Sequence, residues 1–151
     1  MQVREAMTPS PATCSPETTL RLVAQLMSDH DCAAIPVTDS GKLVGIVTDR
    51  DIACRVVAAG KDAVTVPAAD CMTKPVIAVS PDDDFELAVE LMAENAIHHL
   101  PVISGDGALL GIVAQSDLGR RMSNRELGRM ARRTSIRSAD VWERCEAVIK
   151  P

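Results

Sequence analysis

The sequence predicts an α+β fold built from two copies of one small unit and followed by a helical tail. The phrase GIVTDRD at residues 45–51 returns as GIVAQSD at residues 111–117, and Met-Thr, Ser-Pro and Pro-Val pairs recur before it in the same order. The spacing between matched residues is 65 at first, and it becomes 66 after one inserted residue in the loop SGDG. Helical and strand-like patterns alternate within each copy. A duplicated period of this length indicates a tandem repeat.

Composition is that of a globular protein. The chain has 151 residues, of which 46% are hydrophobic and 25% charged, enough for one compact domain or two small ones that share a core. No apolar run is long enough to span a bilayer, and the N-terminus lacks the pattern of a signal peptide, so we expect a soluble, cytoplasmic protein. Five cysteines without a CxxC pair indicate reduced, buried thiols rather than a disulfide framework.

Aromatic content and charge argue against nucleic acid as a partner. The chain contains one Phe, one Trp and no Tyr, so it lacks the stacking surfaces that single-stranded nucleic acid uses. The net charge of −5 divides into −10 over residues 1–118 and +5 over residues 119–151. We expect the basic tail, residues 124–151, to form helices that cap the body or dock on a protein partner or a second subunit. Trp142 is the candidate anchor for such docking.

Each copy is predicted to run β-α-β-β-α, with a short extended segment after its Met-Thr pair. The first helix is expected to begin at Ser15-Pro16-Glu17 in one copy and at Ser80-Pro81-Asp82 in the other, because serine caps helices and proline and acidic residues favour the first turn. Apolar residues follow at helical spacing. They are Leu20, Val23, Ala24 and Met27 in the first copy and Phe85, Ala88, Val89 and Met92 in the second.

Two short β-rich runs follow each first helix, joined by glycine-containing turns of hairpin length. A second helix is expected to begin near Asp49 and near Gln115. Because a unit of about 60 residues buries little apolar surface, we expect the two repeats to pack through their sheets with pseudo-two-fold symmetry. The predicted boundaries are 1–65 for the first repeat, 66–123 for the second and 124–151 for the tail.

These repeats resemble a tandem pair of cystathionine-β-synthase (CBS) domains, an arrangement called a Bateman module. The resemblance lies in MTPSPATCSPETTL, AAIPVTDSGKLVGIVTDRDI and their second copies, and it covers residues 4 to about 122. The phrase TDRDIACRVVAAGKD is similar to that of free-standing bacterial CBS pairs. The resemblance implies a regulatory homodimer without a catalytic domain, which binds an adenosine ligand between its repeats. AMP, ADP, ATP, S-adenosylmethionine and a nicotinamide dinucleotide all remain open.

In the first copy the resemblance implies a ligand role for Thr48, Arg50 and Asp51. Where a strand ends and a helix begins, the first-turn amides and the Thr48 hydroxyl would face one spot suited to a phosphate. The Asp51 carboxylate would accept hydrogen bonds from two ribose hydroxyls. Gly45 would leave room for the ligand against the strand. The alternatives are that Asp51 merely caps the helix and that Arg50 is solvated or pairs with Asp49.

The second copy departs from this pattern at Ala114, which lacks the hydroxyl of Thr48. Ser116 and neighbouring amides would partly replace it, and Asp117 would hold the ribose. His98 and His99 precede the strand LPVI, where the resemblance implies contact with phosphates, although one of the two histidines could instead be packed or exposed.

The corresponding positions in the first copy, Ala33 and Ala34, are small enough for an adenine ring to approach the backbone. The resulting interpretation has one site using Asp117, Ser116 and His98 with Ala33-Ala34 beside the base. The other site uses Thr48, Arg50 and Asp51, so the two sites are related but unequal.

These residues have two alternative uses. Zinc is one, since His98, His99, Cys14, Cys32 and Cys71 are metal-binding types, but they lack the spacing of a zinc motif. Catalysis is the other, but the chain has no GxSxG, Walker or HExxH motif, so we expect no enzyme. A structural dimerisation module with degenerate ligand sites is the alternative to a sensor.

Overall fold

The computed structural model describes residues 1–125, Gly128 and Arg132. The predicted tail helices and the proposed anchor Trp142 therefore lie almost wholly outside the described residues. The chain forms two compact units. We call one the Asp51 unit, which comprises residues 10–76 and 106–109. The other is the Asp117 unit, which comprises residues 1–9, 77–105 and 110–125.

The helices and strands confirm the predicted α+β class. In chain order they are β1 Thr8–Pro9, α1 Leu20–Asp29, β2 Ala34–Asp39, β3 Lys42–Thr48, α2 Asp49–Ile52, α3 Phe85–Asn95, β4 His99–Ile103, β5 Leu109–Ala114 and α4 Gln115–Gly119. A π-helical turn, Ala53–Val57, continues α2. Short 3₁₀ turns at Val3–Glu5 and Ala68–Asp70 occupy equivalent places in the two repeats.

The sheets explain why the compact units differ from the sequence repeats. In the Asp51 unit, β2 and β3 form an antiparallel hairpin with Ile35 opposite Val47. In the Asp117 unit the strand order is β1-β5-β4, and Thr8 of β1 lies opposite Ile112. The equivalent residue Thr73 bridges Ile46 of β3. Each Met-Thr segment thus joins the sheet formed by the hairpin of the other repeat.

The first helix of each repeat starts later than predicted. The helices α1 and α3 begin at Leu20 and Phe85, not at the Ser-Pro pairs, which instead form turns. The amides at the two true starts are bonded by distant backbone, because the Leu20 N–H donates to the Val66 carbonyl oxygen at 2.9 Å and the Phe85 N–H to that of Met1 at 2.9 Å. Carbonyl groups from elsewhere in each unit therefore cap these helices.

Each unit has its own apolar core. The buried members in the Asp51 unit are Cys14, Leu20, Val23, Met27, Ile35, Val37, Val47, Val56, Ala68 and Cys71. Those in the Asp117 unit are Val3, Ala6, Val79, Phe85, Ala88, Met92, Leu100, Val102, Val113 and Leu118. The predicted apolar helix faces are correct except at Ala24, which is exposed.

Among the described cysteines, Cys14 and Cys71 are buried and Cys32 and Cys54 are half-buried, so the expected burial is confirmed for two of them. Desolvation raises the pKa of Cys14 to about 11. It also raises the pKa values of Cys32 and Cys71. These thiols are protonated at neutral pH, which disfavours both metal binding and nucleophilic reactivity.

Among the described residues no helix is long and apolar enough to cross a membrane, and the cytoplasmic location stays a prediction.

Candidate functional site

The start of α2 holds Thr48 and Asp51 in a reciprocal pair of hydrogen bonds. The Thr48 N–H donates to Asp51 Oδ2 at 2.9 Å, and the Asp51 N–H donates to Thr48 Oγ1 at 3.2 Å. This is a capping box, which satisfies two amides at a helix start. It uses one carboxylate oxygen and leaves the Thr48 hydroxyl proton and Asp51 Oδ1 to other partners. The cap and the predicted ligand contact can therefore coexist on the same two side chains.

A residue that the sequence analysis missed, Arg55, faces the second oxygen of Asp51. The Arg55 Nε lies 3.7 Å from Asp51 Oδ1, and Arg55 Nη1 donates to the Cys71 carbonyl oxygen at 2.8 Å. The Asp51 side chain is 13% exposed and that of Arg55 48%. The available signals were the i, i+4 spacing from Asp51 and the recurrence of arginine at Arg121.

The amides at the start of α2 are already bonded within the protein. The Asp49 N–H donates to the Ala33 carbonyl oxygen at 3.0 Å, and the Arg50 N–H donates to Asp49 Oδ1 at 2.8 Å. Together with the capped Asp51 amide, this uses the donors expected to face a phosphate. The expectation of an open amide cradle is therefore wrong for this helix. The Arg50 residue is exposed, Ala33 is half-buried and Ala34 is buried.

The equivalent helix start in the Asp117 unit retains half of the capping box. The Ala114 N–H donates to Asp117 Oδ2 at 3.0 Å. Because Ala114 has no side-chain oxygen, it returns no hydrogen bond to the Asp117 amide. The Ser116 residue is exposed and Asp117 is half-buried. The absence of a hydroxyl at Ala114 thus removes one of the two hydrogen bonds that would cap this helix.

A second missed residue, Gln115, fixes His98 beside this helix. The Gln115 N–H donates to the His98 carbonyl oxygen at 2.8 Å, and Gln115 Oε1 forms a short hydrogen bond with His98 Nδ1. The His98 imidazole is exposed, and its Nε2 lies on the side of the ring away from the Gln115 contact. The half-buried His99 begins β4. The signal was a paired change between repeats, because His98 replaces Ala33 where Gln115 replaces Asp49.

The repeated glycines serve packing rather than ligand access. A Cβ placed on Gly45 would lie 2.8 Å from Met72 Cγ and closer still to its sulfur. At Gly111 a Cβ would lie 2.7 Å from Met7 Sδ and 2.9 Å from the Thr8 carbonyl oxygen. Each glycine therefore accommodates the methionine of a Met-Thr pair. The expectation that Gly45 leaves room for a ligand is wrong.

The zinc interpretation gains no support from the described part of the chain. Among those residues no group of three or more His, Cys, Asp or Glu side chains is arranged to hold a metal ion. The candidate cysteines belong to the Asp51 unit and the two histidines to the Asp117 unit. The site predicted from Asp117, Ser116, His98 and Ala33-Ala34 also draws on both units, and it stays a prediction.

The fold and its sites define a tandem pair of α+β domains, each with an aspartate at the start of the helix that follows its hairpin. A sequence model described as CBS domain matches residues 3–58 and 68–124. The chain belongs to the CBS domain family. CBS pairs are regulatory domains, so the matched part of the chain is regulatory and not catalytic.

Relatives and solved structures agree with this assignment. The chain is 41% identical over 127 residues to the CBS domain-containing protein YhcV of Bacillus subtilis, with 83% of this chain and 89% of that protein aligned. It matches Hypoxic Response Protein I with two coordinated zinc ions at a TM-score of 0.74 and 31% identity, covering 82% of this chain and 100% of the other. It also matches CBSX2 in complex with AMP at a TM-score of 0.69 and 28% identity, covering 80% and 94%.

Proposed function

We propose that this protein is a regulatory sensor of an adenosine nucleotide, AMP, ADP or ATP. The observation that carries the proposal is the Asp51 carboxylate. Its Oδ2 is fixed by the Thr48 amide, whereas its Oδ1 faces Arg55 at 3.7 Å, beyond the distance of a hydrogen bond. A carboxylate that is oriented but not saturated is suited to accept hydrogen bonds from ribose hydroxyls. The AMP complex of the related CBSX2 supports this ligand class.

The other predicted residues take roles that suit their chemistry. The Thr48 hydroxyl donates to a phosphate oxygen, and the exposed Arg50 supplies positive charge to it. In the Asp117 unit, Asp117 holds the ribose, while Ser116, His98 and His99 contact phosphate. The small residues Ala33 and Ala34 lie beside the adenine base. Because Ala114 lacks a hydroxyl, the Asp117 site binds more weakly than the Asp51 site.

The proposed action is a shift of conformational population. A ligand that binds one state of the protein more tightly than another favours that state, and a partner protein then responds to it. We propose a homodimer as the working form, with the basic tail as the surface for the partner. The charge of residues 119–151, which include the tail, is +5 against −10 over residues 1–118, and it supports an electrostatic contact with an acidic surface.

Thermal unfolding with and without nucleotides tests this function. A ligand at about 100 times its dissociation constant stabilises the folded state by about 2.7 kcal/mol, which raises the melting temperature by several degrees. We expect this shift with at least one of AMP, ADP and ATP. Asp51→Asn should reduce this shift most, because asparagine keeps an oxygen for the helix cap but loses the negative charge. Asp117→Asn should reduce the shift less, because the Asp117 site binds the ligand more weakly.

Matched controls separate ligand contact from loss of fold. Glu17→Gln, at an exposed position of the Asp51 unit, should keep the full shift. S-adenosylmethionine, a nicotinamide dinucleotide and zinc chloride are measured in parallel. Equal shifts in all variants would refute the site, and a shift with zinc alone would support a metal-binding protein instead.

The second candidate function is a dimerisation module whose ligand sites have decayed. The bonded amides at the start of α2 and the missing hydroxyl at Ala114 favour it. It predicts no thermal shift with any of these compounds and an oligomeric state that sedimentation shows to be independent of them.

A further inference from the structure

We propose that Arg55 is a positioning residue that couples ligand binding at the Asp51 carboxylate to the backbone contacts of residues 71–73, the Met-Thr segment of the second repeat. The inference rests on the proposed function, since it treats Asp51 as a ligand contact. It adds a route by which binding at that carboxylate reaches the segment that follows the first repeat.

The local backbone places Arg55 between its two partners. Arg55 lies in the π-helical turn Ala53–Val57, where the Ala58 N–H donates to the Ala53 carbonyl oxygen, five residues earlier, at 2.9 Å. Such turns interrupt α-helices and are frequent at functional sites. The planar guanidinium then spans Asp51 Oδ1 and the Cys71 carbonyl oxygen with two of its nitrogens. Because the guanidinium is planar, one rigid group links the two partners.

The segment that Arg55 contacts is bonded to the strand that leads back to the site. The Thr73 N–H donates to the Ile46 carbonyl oxygen at 2.8 Å, and the Ile46 N–H donates to that of Thr73 at 3.2 Å. The intervening Met72 packs on Gly45. A continuous series of contacts therefore runs from Asp51 through Arg55, residues 71–73 and β3 to Thr48. All of its members belong to the Asp51 unit.

The link to Asp51 is weak enough for a ligand to replace. The two atoms are 3.7 Å apart and the arginine is half-exposed, conditions under which an ion pair contributes little to stability. A ribose hydroxyl that donates to Oδ1 takes over from Arg55, which retains its bond to Cys71. The charges of Asp51 and Arg55 also act in opposite directions on the pKa of the Cys71 thiol, so both lie near this segment. Free and bound states therefore differ in one defined contact.

The Asp117 unit provides an internal comparison. Its equivalent arginine, Arg121, donates to Met1 Sδ at 3.7 Å. The α4 helix that precedes it ends at Gly119. We therefore expect coupling through the Asp51 site, and Arg121→Met is the matched control.

A mutant cycle without ligand tests the linkage itself. The variants are Asp51→Asn, Arg55→Met and the double substitution, and the measurement is hydrogen exchange of the Thr73 amide. We expect Asp51→Asn to speed this exchange about twofold or more when Arg55 is present and to leave it unchanged in Arg55→Met. An equal effect of Asp51→Asn in both backgrounds would overturn the proposal, whether or not a nucleotide binds.

The same measurement with AMP tests the coupling to binding. Calorimetry first establishes whether AMP binds each variant, which decides the proposed function separately. We expect AMP to change Thr73 exchange about twofold or more in the wild type and in Arg121→Met, but not in Arg55→Met. If Arg55 had a purely structural role, Arg55→Met would speed exchange of the Thr73 amide equally with and without AMP. If AMP binds Arg55→Met and still changes Thr73 exchange, the coupling is refuted.

Arg55→Lys keeps the comparison decisive if Arg55→Met does not fold. Lysine retains the positive charge on a long stem, but it lacks the fork that spans both partners. We expect Arg55→Lys to bind AMP and to lose at least half of the change at Thr73. The full wild-type change in this variant would contradict the role of the fork.

Discussion

At the residue scale, Asp51 divides its two carboxylate oxygens between different tasks. Oδ2 accepts from the Thr48 amide at 2.9 Å, and Oδ1 faces Arg55. From the sequence alone, a helix cap and a ligand contact are alternatives for this residue. The geometry is compatible with both, because the cap orients the carboxylate that the ligand would need.

The buried thiol of Cys14 predicts a loss of stability at alkaline pH. Burial raises its pKa from an ordinary value of 9.0 to about 11, so between these values the unfolded chain loses the proton before the folded one. This contribution to stability is complete below pH 9.0 and is lost as the pH rises, by about 3 kcal/mol above pH 11. Denaturant unfolding across this range should show a smaller decrease in Cys14→Ala. Equal decreases in the two proteins would contradict the prediction.

The two repeated glycines should differ in their tolerance of alanine. A Cβ at Gly111 meets the Thr8 carbonyl oxygen at 2.9 Å, and this backbone group belongs to β1. We expect Gly111→Ala to lower the free energy of unfolding by about 1–3 kcal/mol. A Cβ at Gly45 meets the side chain of Met72, which can move, so Gly45→Ala should cost less.

Urea denaturation measures both glycine variants. Gly105→Ala is the control, because a Cβ there meets nothing within 4 Å. Adding Met72→Ala to Gly45→Ala should give less destabilisation than the sum of the two single substitutions. A larger effect at Gly45 than at Gly111 would show that the methionine, rather than the backbone, is the rigid partner.

At the element scale, the short helices α2 and α4 differ by one hydroxyl at their caps. The backbone is alike at the two cap positions, with φ −108° and ψ 163° at Thr48 and φ −99° and ψ 154° at Ala114. Thr48→Ala should destabilise the protein by about 1 kcal/mol, because the Asp51 amide loses its acceptor. Ala114→Thr should stabilise it by up to the same amount.

Chemical denaturation of these cap variants is compared with that of Thr48→Ser, which keeps the hydroxyl and should remain close to the wild type. If Ala114→Thr leaves the stability unchanged while Thr48→Ala lowers it, the two helix starts are not equivalent.

The elements also show which parts of the fold are encoded locally. The strands and the starts of α2 and α4 follow from β-rich runs and glycine turns, and the structure confirms them. The starts of α1 and α3 do not, because carbonyl groups of Val66 and Met1 bond the first amides. The site divides in the same way. Thr48, Asp51 and Asp117 are visible in the repeated phrase, whereas Arg55 and Gln115 meet partners 16 and 17 residues away.

At the scale of the whole molecule, each unit depends on a segment from the other repeat. Val3 and Ala68 occupy equivalent positions in the 3₁₀ turns that precede the two Met-Thr pairs, and both are 0% exposed. Val3→Asp should speed hydrogen exchange of the Leu100 and Val102 amides, and Ala68→Asp that of Ile35 and Val37, because each buries a charge in a different core.

Hydrogen exchange by NMR resolves the two units in the same sample. Ala59→Asp, at an exposed position, should change neither set of amides. Faster exchange of Ile35 and Val37 in Val3→Asp, with Leu100 and Val102 unchanged, would contradict the assignment of residues 1–9 to the Asp117 unit.

Because each Met-Thr segment joins the hairpin of the other repeat, the two units can complete their folding at different times during synthesis. Residues 10–76 emerge from the ribosome as nearly the whole of the Asp51 unit, with only 106–109 still to come. Residues 1–9 emerge even earlier, but β1 pairs with β5, which is made about a hundred residues later. Residues 10–76 can therefore fold before residues 1–9 do. Until residues 81–83 and 111–112 have been made, the stretch around Val3 lacks the backbone partners that it has in the folded unit.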